Sequence, residues 1–402
     1  MAVEDGGLAR IAMRVAVNGF FCGREGTGSG QYIGSLLGAL LEWDDITEYV
    51  VVLCQRPASS ARFGCSSSSR PFDTVRCRTP FDGLNDNLAK LWFEQIGFPR
   101  ACRKAGASLA FVPYFAPPFF CPVPVVVTIH DLIPLILPQY RGSAGVRMYM
   151  RLVAASARRA DVILADSESS HGDIVRRLGI PTDRIRVVHL AVDDAYHRIE
   201  DEERLARVRE RYGLPARYLL YFGGFDVRKG VREVVTAYAR VAELTGFPED
   251  VGLVIAGRLP TADTSFTPDP RVVADALAVG KGIVFTGWVD ERDKPALYSG
   301  AMAFLFPSEY EGFGLPPLEA LSCGVPVITS NVSSLPEVVG AAAVLVSPSD
   351  VDGLATAILN LVQDETLRER MGRASLAQAE EFTWSRVARE THASFTAATR
   401  TS

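Results

Sequence analysis

Short apolar, β-branched runs alternate with longer amphipathic stretches along almost the whole chain, and this alternation restricts the fold more than any other feature. The pattern predicts parallel sheets whose strands are joined by crossover helices. In the first half the expected strands are residues 13–20, 49–54, 109–114, 123–131, 161–167 and 185–192. In the second half they are 218–225, 251–257, 282–289, 302–308 and 325–330. Between the two sets lies "DDAYHRIEDEERLARVRERYGLP" (193–215), polar and without a long apolar run, which reads as a linker followed by a surface helix. At 402 residues the chain exceeds what one hydrophobic core fills. The expected architecture is therefore α/β, with two Rossmann-like, doubly wound parallel-sheet domains facing a cleft, and ligands held by loops beyond the carboxyl ends of the strands.

Composition removes several classes of function. With 48% hydrophobic and 22% charged residues the chain is neither disordered nor fibrous. A net charge of −5 argues against nucleic-acid binding, and it is unevenly shared, with +2 in residues 1–200 and −7 in 201–402. The seven cysteines (22, 54, 65, 77, 102, 121, 323) include no C-x-x-C pair, which fits neither a zinc site nor a disulfide framework and points to a reducing cytoplasm. The opening "MAVEDGGLARIAM" lacks the apolar core of a secretory signal. Residues 110–129 are uncharged and long enough to span a bilayer, but their five prolines forbid a continuous helix, leaving a loop that feeds a buried strand. The serine-rich patch 65–70 reads as an exposed loop, and no internal repeat is evident.

The stretch "SEYEGFGLPPLEALSCGVPVITS" (308–330) sets Glu311 and Glu319 eight residues apart around a Gly-Phe-Gly-Leu-Pro-Pro segment. Glycines and prolines forbid one helix through the interval. The expectation is a strand, then a glycine loop carrying Glu311, then a helix starting near Pro317 with Glu319 in its first turn and Gly324 as its C-terminal cap. Carboxylates beside free backbone N–H groups suit a polyol better than a bare anion. The plain alternatives are a macrodipole-favouring Glu319 and, beside Glu309, a solvated Glu311. Arg228 and Lys229, in the loop after 218–225, could neutralise a diphosphate or be an ordinary solvated turn. No clustered metal ligands are visible in the sequence, and paired cations can replace a divalent ion, so neither cofactor nor metal is expected.

With these residues in place, 308–330 resembles the signature of retaining glycosyltransferases of the GT-B fold, family 4. The resemblance extends to "YFGGFDVRKG" (221–230), "LVIAG" (253–257), "FTGWVDERDKPALYSGA" (285–301), "SSLPEVVGAAAVLVSPSD" (333–350) and "FTWSRVARETHASF" (382–395). It implies that Glu311, with Gly312 and the backbone N–H groups of Phe313, Gly314 and Leu315, binds the donor sugar. Glu319 would bind the nucleotide ribose, and Arg228 with Lys229 the diphosphate. It also implies an acceptor-binding domain over 1–198, a nucleotide-sugar domain over 199–382, and a terminal helix over 383–402 that crosses back to the first domain.

"GREGTGSGQY" (23–32) has Gly26, Gly28 and Gly30 at G-x-G-x-G spacing, not the G-x-G-x-x-G of a dinucleotide site, so a simple glycine-rich turn is the plain reading. The resemblance makes Gly28 and Gly30 a close approach to donor phosphates and acceptor. Of five histidines, His130 ends the apolar strand "VVVTIHD" and matches the family's active-site histidine, without being assigned as a general base; His171, His189, His197 and His392 read as structural. Residues 88–106 mix Leu91, Trp92, Phe93, Ile96 and Phe98 with Lys90, Arg100, Arg103 and Lys104. They read as a core helix with a basic outer side or, alternatively, as an interfacial patch giving peripheral contact with the inner face of the membrane.

The resemblance to bacterial mannosyltransferases of polysaccharide assembly makes GDP-mannose the first expected donor and a saccharide or lipid-linked compound the acceptor. UDP-sugar-dependent glucosyl or N-acetylglucosaminyl transfer, a GT-B epimerase or phosphorylase, and a non-catalytic nucleotide-sugar scaffold are the alternatives.

Overall fold

The computed structural model describes residues 13–24, 27–44, 46–54 and 72–400 of the chain. The opening twelve residues, Gly26, and the serine-rich patch with Cys65 lie outside the described residues. In the first half, β1 (Arg14–Asn18), β2 (Glu48–Cys54), β3 (Asp73–Cys77), β4 (Leu109–Val112), β5 (Val125–Ile129), β6 (Val162–Ala165) and β7 (Ile185–Val187) form a seven-stranded sheet in the order β3-β2-β1-β4-β5-β6-β7. In the second half, β8 (Arg217–Phe222), β9 (Val251–Ala256), β10 (Ile283–Gly287), β11 (Ala303–Phe306), β12 (Val327–Ser330) and β13 (Ala343–Val346) form a six-stranded sheet in the order β10-β9-β8-β11-β12-β13. Every pairing is parallel.

Helices on both faces explain why the central strands read as unbroken apolar runs: all five residues of β5 and all six of β9 are buried. The helix Val231–Ala242 shows the complementary pattern, burying Val231, Val234, Val235, Tyr238 and Val241 along one stripe. Two strands carry no such signal. β3, "DTVRC", is an edge strand with no buried residue, and β13, "AVLV", buries only Val346. The charged segment after β7 contains the helix Glu202–Tyr212, started by the Asp201 side chain and ended by Gly213.

Strand order reverses between β1 and β4 in one sheet and between β8 and β11 in the other. Those are the points at which adjacent crossovers diverge and leave a crevice beyond the strand ends. The chain crosses between the domains twice, after β7 and again at the helix Trp384–Arg400. That last helix packs along the helix Gly28–Trp43 of the first domain, with the Phe395 ring 5.0 Å from Phe111 of β4. Among the described residues no helix is long and apolar enough to cross a membrane.

Candidate active site

β11 ends at Phe306, and the chain then turns through 307–314 before the helix Leu315–Ser322. Gly314 has φ of +120°, and a Cβ there would come 2.9 Å from Leu335, so only glycine admits the helix at this angle. Pro316 and Pro317 occupy the first turn, where a missing N–H costs nothing. Amides of Phe313, Gly314 and Leu315 donate no hydrogen bond among the described residues and stand as free donors. Ser334 Oγ fixes the loop from behind, donating to the carbonyls of Glu311 (3.0 Å) and Phe313 (2.5 Å).

Glu311 is only 8% exposed. Its Oε1 accepts from Lys229 Nζ at 2.6 Å and Ser308 Oγ at 2.7 Å, with Arg228 Nη1 2.8 Å away. Burial alone would push its pKa up, but Lys229 and Arg228 outweigh that and hold it below the ordinary glutamate value. The expectation of a solvated carboxylate is thereby excluded. Arg228 also donates to the Tyr310 carbonyl at 2.6 Å, so the turn after β8 and the loop after β11 are tied together by charge.

Across the crevice, His130 follows β5. Its Nδ1 lies 2.7 Å from Asp166 Oδ2, at the end of β6, and its Nε2 lies 3.3 Å from the Pro113 carbonyl. Burial would lower the imidazole pKa, yet the Asp166 carboxylate overrides it and the net shift is upward. Because both ring nitrogens face oxygen acceptors, the imidazolium is favoured and no lone pair is offered outward. Tyr32 sets its ring edge-on to His130 at 4.8 Å. Gly28 and Gly30 are not in a turn: they form the first turn of the helix Gly28–Trp43, whose cap is Thr27. Thr27's hydroxyl captures the Gly30 amide, and a Cβ on Gly30 would strike the Arg24 carbonyl, whereas Gly28 faces open space.

Glu319 is not in the first turn of its helix, which begins at Leu315, two residues before the expected Pro317. It therefore sits a full turn inside, too far to owe its place to the macrodipole, and Tyr298 donates to its Oε2 at 2.8 Å. Burial pushes its pKa up to about 7, with Lys294 opposing and Glu291 reinforcing the shift.

A cleft of about 760 Å³ gathers Gly28, Gly30, His130, Asp131, Glu311, Gly312, Phe313, Gly314, Leu315 and Glu319 on its walls. Arg228 and Lys229 do not line it; they stand behind Glu311, 11% and 12% exposed at the side chain. Asp166, Tyr32, Tyr298 and Ser334 were not legible as site residues in the sequence. Asp166 alone carried a usable signal, as an acid at the end of the strand neighbouring the His130 strand.

Residues 88–106 pack inward. Phe93 and Phe98 are fully buried, and buried Glu94 accepts from Lys90 (2.6 Å), Tyr149 (2.9 Å) and Tyr114 (3.1 Å). Two of the segment's three aromatics are thus taken up by the core, while Trp92 is half-buried and Leu88 and Ile96 are exposed; nothing in the packing shows a membrane contact.

Comparison with known proteins supplies the family. Residues 206–378 match the model of glycosyl transferases group 1, and residues 27–196 that of glycosyltransferase family 4. The O-antigen chain mannosyltransferase B of Escherichia coli is 37% identical over 275 residues, covering 67% of this chain and 70% of that protein. The serotype-specific mannosyltransferase WbdA of Escherichia coli is 31% identical over 273 residues, 66% of this chain but only 32% of WbdA's length. A sucrose-phosphate synthase structure from Thermosynechococcus elongatus superposes with a TM-score of 0.72 at 20% identity, covering 97% of this chain and 100% of that one, a likeness of fold alone. Together with the paired parallel sheets and the cleft between them, these matches establish that the chain belongs to the group 1 glycosyltransferases and has the GT-B fold.

Proposed function

We propose that the protein transfers mannose from GDP-mannose to a saccharide or lipid-linked acceptor, with retention of anomeric configuration and without a metal. The observation that carries this reading is the placement of Glu311: a buried, ionised carboxylate at the cleft wall, backed by two cations and followed by three free backbone donors. The mannosyltransferase relatives favour mannose over other hexoses. In this reading Glu311 and the amides of Phe313, Gly314 and Leu315 orient the sugar hydroxyls, and Glu319 takes the ribose diol. As the glycosidic bond breaks, negative charge grows on the leaving diphosphate, and Arg228 and Lys229 stabilise it. His130, whose imidazole Asp166 orients and makes more basic, supports the sugar from the first domain. It does not serve as a base; the departing phosphate takes the acceptor proton on the same face.

The test is calorimetric titration with GDP, UDP, ADP and dTDP without added metal. Selective binding of GDP is expected. Selective binding of UDP would move the donor to a UDP-sugar, and no binding by any of the four would overturn the reading.

A further inference from the structure

The loop that carries Glu311 belongs to the second domain, yet much of its hydrogen bonding reaches the first. Gly312's carbonyl accepts from Ser167 Oγ at 2.7 Å and Ser170 Oγ at 3.0 Å. Ser170 Oγ is also 3.2 Å from the His130 carbonyl, so one hydroxyl spans the two residues that flank the cleft. Both serines are buried, at 0% and 1% exposure. Tyr310 OH donates to Asp173 Oδ2 at 2.5 Å. Glu337, also from the second domain, accepts from the amides of Glu168 (2.8 Å) and Ser169 (3.2 Å). The short helix Glu168–Asp173 is thus gripped by Glu337 at its start, by Tyr310 at its end and by the Gly312 carbonyl between them. The fit is close: a Cβ on Gly312 would lie 2.2 Å from the His130 carbonyl oxygen and 2.9 Å from Asp131 Cβ.

We infer that Ser167, Ser170 and Asp173 are positioning residues that set Glu311 against His130, by clasping the residues on either side of it, Tyr310 and Gly312. None of the three touches the reacting groups. Their work is geometric: with both neighbours of Glu311 fastened to the first domain, its carboxylate cannot swing without breaking buried hydrogen bonds. The inference rests on the proposed function only for what Glu311 does once in place.

The full-length protein provides the test through three variants. Tyr310→Phe removes one hydroxyl without changing shape. Ser167→Ala with Ser170→Ala removes both donors to Gly312. Asp173→Asn keeps an acceptor for Tyr310 and serves as the conservative control. The nucleotide probe is whichever of GDP, UDP, ADP and dTDP binds the parent protein most tightly. Tyr310→Phe and the double serine variant should bind it within about twofold of the parent, lose about tenfold or more in the kcat of nucleoside diphosphate release from GDP-mannose or UDP-glucose with water as acceptor, and show a larger radius of gyration by small-angle scattering. Asp173→Asn should keep kcat within about threefold. Parental kcat and radius in the first two variants would overturn the inference. So would a parallel loss of nucleotide affinity and kcat, which marks a folding defect, or an Asp173→Asn loss equal to that of Tyr310→Phe. Absence of turnover by the parent protein with both GDP-mannose and UDP-glucose would strike the transferase reading instead. The scattering comparison would still decide the clasp.

Discussion

Lys229 Nζ and Glu311 Oε1 are 2.6 Å apart, and Arg228 stands 2.8 Å from the same oxygen. The carboxylate therefore neutralises the two cations proposed to meet the diphosphate, and on that reading a ligand approaching them has to compete with it. This opposition gives the two sides of the pair different expected phenotypes.

Lys229→Ala should weaken binding of the preferred nucleoside diphosphate by about tenfold or more, the loss of a charge-assisted hydrogen bond of ~1.5–3 kcal/mol. Calorimetric affinity equal to the parent's would remove Lys229 from the phosphate site.

Glu311→Gln should have the opposite effect on binding. With the competing charge gone, nucleoside diphosphate affinity should be unchanged or tighter, while kcat falls on the order of 10²-fold because the sugar loses its ionised acceptor. Steady-state kinetics combined with calorimetry separates the two, and full turnover would dismiss the proposed role.

For Glu319, with a pKa near 7, the ionised form, which on the proposed reading accepts the ribose hydroxyls, is a minor species at pH 6 and the main one at pH 8. Nucleotide affinity should therefore tighten by about tenfold between those values, following the competent fraction. In Glu319→Gln the slope should vanish. A pH-independent affinity in the parent protein would contradict ribose binding by the carboxylate.

The His130 and Asp166 pair should appear in stability. The folded-state pKa of His130 is raised above the unfolded value of about 6.5. The stabilisation is therefore complete below that pH and fades as pH rises through the folded pKa. Asp166→Asn should lower the melting temperature more at pH 6 than at pH 9. Equal losses at both would show that the pair contributes packing and not charge.

Phe395→Ala, in the core between the terminal helix and β4, should cost about 3–5 kcal/mol in urea unfolding. A loss under about 1 kcal/mol would mean that the terminal helix is held by other contacts.

The central strands were legible because residues buried on both faces leave unbroken Val, Ile and Leu runs, as in β5 and β9. β3 and β13 were not, since an edge strand half open to solvent lacks that signature. The 308–330 stretch placed Glu311 on its loop, but Glu319's depth in the helix depended on Gly314, whose φ of +120° no residue pattern announces. Hardest to read were the serines at 167 and 170, small polar residues whose meaning comes from a partner 142 to 145 residues away.

The two places where the chain passes between domains lie side by side: His189, just after β7, has its ring 5.7 Å from that of Phe382, just before the terminal helix. Two neighbouring strings cannot stretch apart but can twist together, so the halves are joined as a book is at its spine. If the cleft opens, the hydrogen bonds from Ser167, Ser170 and Asp173 have to break, and two adjacent crossings favour a rotation about one line, with displacement growing with distance from it. On such a rotation the loop bearing Glu311 and the turn bearing His130 would move along an arc and close again to the same face-to-face alignment.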